Sequence, residues 1–143
     1  MTIQIKNVPY SLEILDLHRE ILPRDEAVKH DKAVKWWTAT DTSTGELVGF
    51  AALTLQDNGT GAFLSMAGVR KSHRGLGIQK RLIKARVRYA RKHSVRRCFT
   101  YTAPYNPASG NSLISCGFRL YCPEGLPVED RWWCRWELDL VDN

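Results

Sequence analysis

The residues best suited to chemistry lie in a loop between a predicted strand and a predicted helix. The loop reads Arg70-Lys71-Ser72-His73-Arg74-Gly75-Leu76-Gly77-Ile78-Gln79. Glycines let the backbone adopt positive φ and approach a ligand closely, and the first turn of a helix offers unpaired N–H groups. Residues 74–79 are therefore predicted to bind an anion. Basic side chains that supply the charge-assisted donors a pyrophosphate requires are Arg70, Lys71, Arg74, Lys80 and Arg81.

Two other phosphate-binding loops are excluded by their spacing. The Walker pattern GxxxxGK[ST] does not occur in the chain. A dinucleotide fingerprint that starts at Gly75 would need glycine at position 80, where Lys80 stands, and no acidic residue follows before Glu124. The remaining alternative is an ordinary tight turn before a helix, which the cluster of cations disfavours.

The loop and a later segment resemble the motifs of the GNAT superfamily of N-acetyltransferases. Arg74 to Ile78 is similar to the family's acetyl-CoA loop, which reads Gln or Arg, two residues, Gly, one residue, then Gly or Ala; Gln79 departs from the last position. Residues 106–118 resemble the later motif, an Asn ahead of a helix that ends in Gly117-Phe118. The resemblance covers residues 62–120, and the N-terminal part by element order.

This resemblance implies an α/β fold in which about four helices flank a mixed sheet of six or seven strands. It also implies acetyl-CoA as co-substrate. The backbone around Val69 would pair with the pantetheine arm, and residues Arg74, Gly75, Leu76, Gly77, Ile78 and Gln79 would hold the pyrophosphate. Asn106 would hydrogen-bond the cofactor arm or the substrate, and Ser109 would cap or line the next helix. The amine would attack directly in a ternary complex.

The catalytic acid and base are harder to assign. The family often uses a Glu on the central strand and a Tyr on the last helix, but this chain has Ser65, Met66 and Ala67 in the strand and Leu113 at the acid position. Tyr105, beside Asn106, is the candidate acid. The base would come from a tyrosine, from water, or from the acidic residues Glu129, Asp130 and those at 26–31.

The elements that must position these residues follow from periodicity and from turn signals. Strands are predicted at residues 2–8, 36–42, 46–55, 62–69, 98–103 and 118–122, with a final strand near the C-terminus. Helices are predicted at 11–23, 25–34, 76–93 and 107–116. In the last strand one face is shared by Trp132, Cys134, Trp136, Leu138 and Leu140, which leaves Trp133 exposed. We expect residues 1–143 to form a single domain.

The charge distribution leaves other functions open. No Asp or Glu occurs between Asp57 and Glu124, an interval that carries thirteen Lys or Arg, although the whole chain has a net charge of +6. Such a centre attracts polyanions. One alternative is a non-catalytic module that binds nucleic acid or an acidic protein through residues 70–97, and another is an acetyltransferase acting on aminoacyl-tRNA. We favour a solvated basic face and, as acceptor, an amine-bearing small molecule or protein.

Several further features of the sequence bear on the compartment and the partners of the protein. The chain has neither a secretory apolar region nor a membrane-spanning run, so we expect a cytoplasmic protein. The spacing of its four cysteines matches no metal or redox motif, and they are interpreted as reduced packing residues. His73 is expected to be a solvent-exposed loop residue, and no histidine is assigned to a metal. Trp133 could line an acceptor pocket or a homodimer contact.

Overall fold

The computed structural model describes residues 2–23, 33–56, 59–103, 106–121 and 134–140. Its seven strands, which belong to one sheet, are Ile3–Val8 (β1), Val34–Asp41 (β2), Glu46–Leu55 (β3), Gly61–Val69 (β4), Arg97–Thr102 (β5), Arg119–Tyr121 (β6) and Cys134–Asp139 (β7). The α-helices of the described residues are Leu12–Ile21 (α1), Ile78–Lys92 (α2) and Pro107–Ser115 (α3), and a short 3-10 turn spans Lys71–His73.

The sheet is mixed, as predicted. Its strand order is β1-β2-β3-β4-β5-β7-β6, and β4 with β5 is the parallel pair among otherwise antiparallel neighbours. The helix predicted at residues 25–34 lies outside the described residues except at its end, where the prediction is wrong, because Val34 opens β2. Trp132 and Trp133 also lie outside the described residues.

Helices cover both faces of the sheet because each presents an apolar stripe. α1 begins at Ser11, whose side chain accepts a hydrogen bond from the backbone N–H of Ile14 at 3.3 Å, and it buries Ile14 and Leu17 against Phe50. α2 buries apolar side chains in the larger core on the opposite face: Ile78, Leu82, Ile83 and Ala90.

The alternation predicted for the last strand is confirmed where it is described. Trp136 is buried, and Cys134, Leu138 and Leu140 pack against the same core as α2. A side-chain period of two places these four residues on one face. The core on the α2 side therefore runs from β2 across the sheet to β7.

Candidate active site

The central strand β4 has two unlike edges. On one edge it pairs with β3 from Gly49 opposite Val69 to Leu55 opposite Ala62. On the other edge its pairing with β5 is confined, in the described part of the chain, to residues 61–63 opposite residues 97–99. Residues 64–69 have no strand partner there, so β4 and β5 separate and leave a cleft.

The apex of this cleft is closed by a side chain. Thr100 of β5 donates its hydroxyl proton to the carbonyl oxygen of Leu64 at 2.7 Å, and Thr100 is buried. This bond satisfies a carbonyl that would otherwise lose its ladder partner where the strands diverge. Next to the apex lies an inner cavity of about 140 Å³, lined by β4, β5 and the buried faces of α2 and α3.

A second, outer cavity of about 550 Å³ lies at the carboxyl end of β4. It is lined by the end of β4, the loop that follows, and the first turns of α2 and α3. The inner and outer cavities share Ala67, Gln79 and Ser109 in their walls. The two cavities are therefore two parts of one cleft. This cleft runs from the loop at residues 74–79 to the point where β4 and β5 separate.

The glycines of the loop are required by backbone conformation. Gly75 has φ +78° and Gly77, the N-cap of α2, has φ +79°, values that side chains rarely adopt. A Cβ atom at either position would meet nothing within 4 Å, so the space above the loop is open. Ile78 is buried and anchors the helix, whereas Leu76 is half exposed. The loop thus presents its backbone to the outer cavity.

Val69 and Arg74 are joined directly. The Arg74 Nε donates to the carbonyl oxygen of Val69 at 3.2 Å, which ties the end of β4 to the loop. Both residues line the outer cavity. Gln79, the departure from the family pattern, lines both cavities. The predicted loop residues and the predicted strand end are therefore brought together.

The start of α3 forms the opposite wall. The Asn106 Oδ1 accepts a hydrogen bond from the backbone N–H of Ser109 at 3.3 Å, and Pro107 occupies the first turn. Asn106 is thus the helix cap, while Ser109 lines the cleft. Tyr105, the predicted acid, lies outside the described residues.

Two of the five predicted phosphate cations are engaged elsewhere. Arg70 donates through Nε and Nη2 to the carboxylate of Glu20 at 2.9 and 3.1 Å, and through Nη1 to that of Glu46. The Arg81 Nη1 donates to the carbonyl oxygen of Ile3 at 2.8 Å. These two guanidinium groups therefore already have partners distant in sequence, and neither residue lines the outer cavity. Arg74 and Lys80 line the outer cavity.

The prediction that His73 is solvent-exposed is also wrong. Its side chain is only 13% exposed, and its Nε2 lies 3.0 Å from Oδ2 of Asp41, at the end of β2. Its Nδ1 lies 2.7 Å from the Ser72 hydroxyl. Hydrogen bonds from Ser43 and then from His73 hold the pKa of the Asp41 carboxyl below its ordinary value. This pairing fastens the loop to the sheet.

Sequence reasoning missed Arg86, which reads as part of a basic helix surface. Arg86 is 2% exposed and lines the inner cavity. Burial lowers the pKa of its guanidinium to about 10, so it is charged at neutral pH. Helical periodicity could have found it, since position 86 lies three residues after the buried Ile83 and four before the buried Ala90.

Tyr101, near the end of β5, is 42% exposed and lines the inner cavity. Its hydroxyl oxygen accepts a hydrogen bond from the Arg135 Nη1 at 2.7 Å, and Arg135 also donates to Glu137 at 2.8 Å.

The described cysteines, Cys98, Cys116 and Cys134, are free thiols. Burial raises the pKa of the Cys98 thiol to about 12, which makes it a packing residue rather than a nucleophile. Within the described ranges, no cluster of three His, Cys, Asp or Glu side chains is arranged to hold a metal ion. No described helix is long and apolar enough to cross a membrane.

The cleft fits an extended, phosphorylated ligand. The free edge of β4 offers backbone groups to an amide-bearing arm, as an additional strand would use them. The open loop at Gly75 and Gly77 and the first turn of α2 suit a pyrophosphate. These are the features that coenzyme A requires, and they occur along one continuous cleft.

Comparison with known proteins gives the same class. The family model described as the acetyltransferase (GNAT) family matches residues 4–118. The chain therefore belongs to the acetyltransferase (GNAT) family, whose members use acetyl-CoA. The resemblance seen in the sequence is confirmed, and so is the α/β fold. A search of curated proteins finds no match to the chain.

Solved structures share the fold at low sequence identity. An acetyltransferase from Bacillus subtilis in complex with CoA has a TM-score of 0.78 and 19% identity, covering 98% of this chain and 100% of that one. An IAA acetyltransferase from Bacillus cereus has a TM-score of 0.76 and 17% identity, covering 96% and 99%. A spermidine/spermine N-acetyltransferase from Vibrio cholerae has a TM-score of 0.74 and 15% identity, covering 97% and 95%.

Proposed function

We propose that the protein transfers an acetyl group from acetyl-CoA to a primary amine by direct attack. The observation that carries this proposal is the free edge of β4, residues 64–69, which opens onto the N-terminus of α2 through a continuous cleft. Membership of the acetyltransferase (GNAT) family supports the reaction class.

The outer cavity would hold the phosphates. Its loop offers backbone N–H groups at the positive end of α2, whose first turn contains no acidic residue. Arg74 and Lys80 add two positive charges at the cavity wall. Ile78 is buried, which fixes the start of the helix and hence the direction of these donors.

The free edge of β4 would hold the pantetheine arm, and α3 would close the other side. Arg74 already bonds the carbonyl oxygen of Val69, so the arm would use the remaining backbone groups of the edge. Asn106 and Ser109, at the start of α3, face the arm from the opposite wall. This path leads to the inner cavity beside Ala67.

The reaction needs a neutral amine beside the thioester and stabilisation of the charge that develops. The amine nitrogen attacks the thioester carbon, and the C–S bond then breaks with its electron pair passing to sulfur. Positioning both reactants in the cleft supplies much of the rate. No protein nucleophile takes part. Among the described cysteines Cys98 is excluded as one, because burial keeps its thiol protonated.

Tyr101 is the described residue best placed to move a proton. Its hydroxyl oxygen accepts a hydrogen bond from Arg135, and the residue lines the inner cavity. It joins Tyr105 and the acidic residues of the sequence prediction, which lie outside the described residues, as a candidate acid or base. The described wall of the inner cavity carries no carboxylate, and this favours an acceptor without several positive charges.

A second candidate is acetylation of an amine attached to RNA. A groove of about 810 Å³ between β1 and α2 is lined on its helix side by four cations: Arg81, Lys84, Arg88 and Lys92. No acidic residue of the described chain lines it. A groove of this charge attracts phosphates. Transfer to aminoacyl-tRNA, but not to free amino acids, would favour this candidate.

Titration calorimetry with acetyl-CoA and with CoA tests the proposal directly. Arg74→Ala should weaken binding about tenfold, because it removes a charged donor from the phosphate site. Arg88→Ala is the matched control, since Arg88 is exposed on the same helix outside the cleft. Equal effects of the two substitutions, or no binding to the wild type, would contradict the proposed site.

A further inference from the structure

Arg86 is a charge buried without a carboxylate partner in the described residues. Its Nε donates to the carbonyl oxygen of Leu82 at 3.1 Å, and its Nη1 to those of Ala52 and Met66 at 3.1 and 3.4 Å. The last two carbonyls belong to β3 and β4 where their register shifts between Ala52 and Thr54. Among the described residues, Arg86 therefore donates to neutral carbonyl groups, and no carboxylate balances its charge.

Such an arrangement is costly unless the charge is used. Removing an ion from water carries a large desolvation penalty when no opposite charge compensates it. The neighbouring buried side chains of α2, Leu82, Ile83 and Ala90, are all apolar. The nearby ionisable groups that could carry negative charge are the thiols of Cys98 and Cys116, and the Cys98 thiol is neutral at pH 7. A negative charge supplied by a ligand would complete the site.

The cleft brings such a charge to Arg86. Arg86 lines the inner cavity together with Met66 and Ala67, and this cavity continues into the outer one. The inference rests on the proposed function: with the phosphates at the loop and the arm along β4, the thioester would end in the inner cavity. Breaking the C–S bond places a negative charge on sulfur there.

We propose that Arg86 supplies the positive charge that stabilises the departing CoA thiolate. The amine nitrogen forms a bond to the acyl carbon, the C–S bond breaks, and the electron pair goes to sulfur. The proton lost by the amine leaves through a base or water, and the thiolate takes up a proton later. Arg86 keeps its own protons and acts through its charge. Leu113 occupies the position where the family often has an acid, and Arg86 takes over part of that task.

The test measures the thiol pKa of bound CoA. Wild-type protein is saturated with CoA and titrated between about pH 6 and 10, with the thiolate followed by ultraviolet absorbance. The same protein with S-methyl-CoA, which has no thiol, serves as the blank for protein groups. We expect the bound thiol pKa to lie at least about one unit below that of free CoA, a tenfold change in the ionisation constant.

Variants separate the charge from the packing of the helix. Arg86→Met should return the bound thiol pKa to the free value and lower kcat about tenfold, whereas Arg86→Lys should keep part of the shift. Arg88→Met, two residues along on the exposed face, should leave the shift unchanged. A residue with only a structural role would alter stability and not the thiol pKa.

The outcomes are distinct. A wild-type complex whose CoA thiol has the free pKa overturns the inference and leaves the proposed function standing. The inference also fails if folded Arg86→Met binds CoA with the wild-type shift. If Arg86→Met does not fold, the wild-type value and Arg86→Lys decide. Failure of the wild type to bind CoA overturns the proposed function and this inference together.

Discussion

The two edges of β4 differ in how their backbone groups are satisfied. Toward β3 the pairing extends from Val69 to Ala62 and is interrupted at one register shift. Toward β5 it stops after Phe63. Beyond that point the described side chains that donate to β4 carbonyls are Thr100 to Leu64, Arg86 to Met66 and Arg74 to Val69. The first edge builds the core. The edge that faces β5 can accept a ligand, because backbone N–H and C=O groups without a strand partner need other hydrogen-bond partners.

A substitution in the cleft tests this contrast most strongly. Ala67 lines both cavities, and its partner across the ladder, Ala51, is completely buried. Ala67→Leu should lower CoA affinity by about a hundredfold, because it fills the path of the arm, and change the free energy of unfolding by less than about 1 kcal/mol. Calorimetry and urea unfolding measure the two effects.

Ala51→Leu is the matched control for that change. Overpacking the fully buried position should cost about 1–3 kcal/mol of stability and leave CoA affinity nearly unchanged in the folded protein. If the two leucine variants bind CoA equally well, β4 does not present different edges to the ligand, and the cleft is not the binding site.

A substitution in the loop at the end of β4 should have an effect of intermediate size on stability and CoA affinity. Gly77→Ala places a Cβ at φ +79°, which should cost about 1–2 kcal/mol of stability and weaken CoA binding about tenfold as the loop relaxes. Gly45→Ala carries similar strain, at φ +75° in the turn between β2 and β3, away from the cleft. Loss of affinity in the Gly45 variant would show that strain alone, and not the loop, explains the result.

The smallest expected effect concerns the pairing of His73 with Asp41. The folded-state pKa of Asp41 lies below its ordinary value of 3.8. Its interactions therefore stabilise the protein above about pH 3.8, and this stability is lost as the pH falls through the lower folded-state value. Asp41→Asn should flatten the acid side of the stability profile and reduce CoA affinity about threefold at neutral pH.

Unfolding by urea across the acid range checks this prediction. Asp139→Asn is a suitable control, because Asp139 is an exposed carboxylate that pairs with Arg97 on the other side of the sheet. If the free energy of unfolding of Asp41→Asn falls with decreasing pH as steeply as that of the wild type, the pairing of Asp41 with His73 does not stabilise the protein.

Local patterns were enough to predict most elements of the described chain. Residue types that favour strands, after a turn signal, predicted β3, and the period of two predicted the face that Trp136 shares with Leu138. The period of 3.6 predicted α2 to within two residues at its start and one at its end. The glycine loop was found because positive φ is encoded by residue type. These features depend on neighbours in sequence, which is why the sequence was sufficient.

Side-chain partners could not be predicted in the same way. Arg70 and Arg74 look alike in the loop, yet Arg70 turns to Glu20, fifty residues away, and Arg74 faces the cleft. Its sequence context predicts a surface position for His73, but the fold brings Asp41, at the end of β2, within hydrogen-bond distance of it. Only the packed sheet brings such pairs within hydrogen-bond distance.

From the sequence alone, the resemblance of two motifs to the GNAT family indicated the fold class and the acetyltransferase family. Glycines at fixed spacing indicated the loop before α2, because positive φ depends on residue type. The tertiary structure decided where β4 and β5 separate, which arginine is buried, and which cations remain at the loop. Arg86 illustrates the reason: its charge is the same in every environment, but its pKa and its use depend on the strands that surround it.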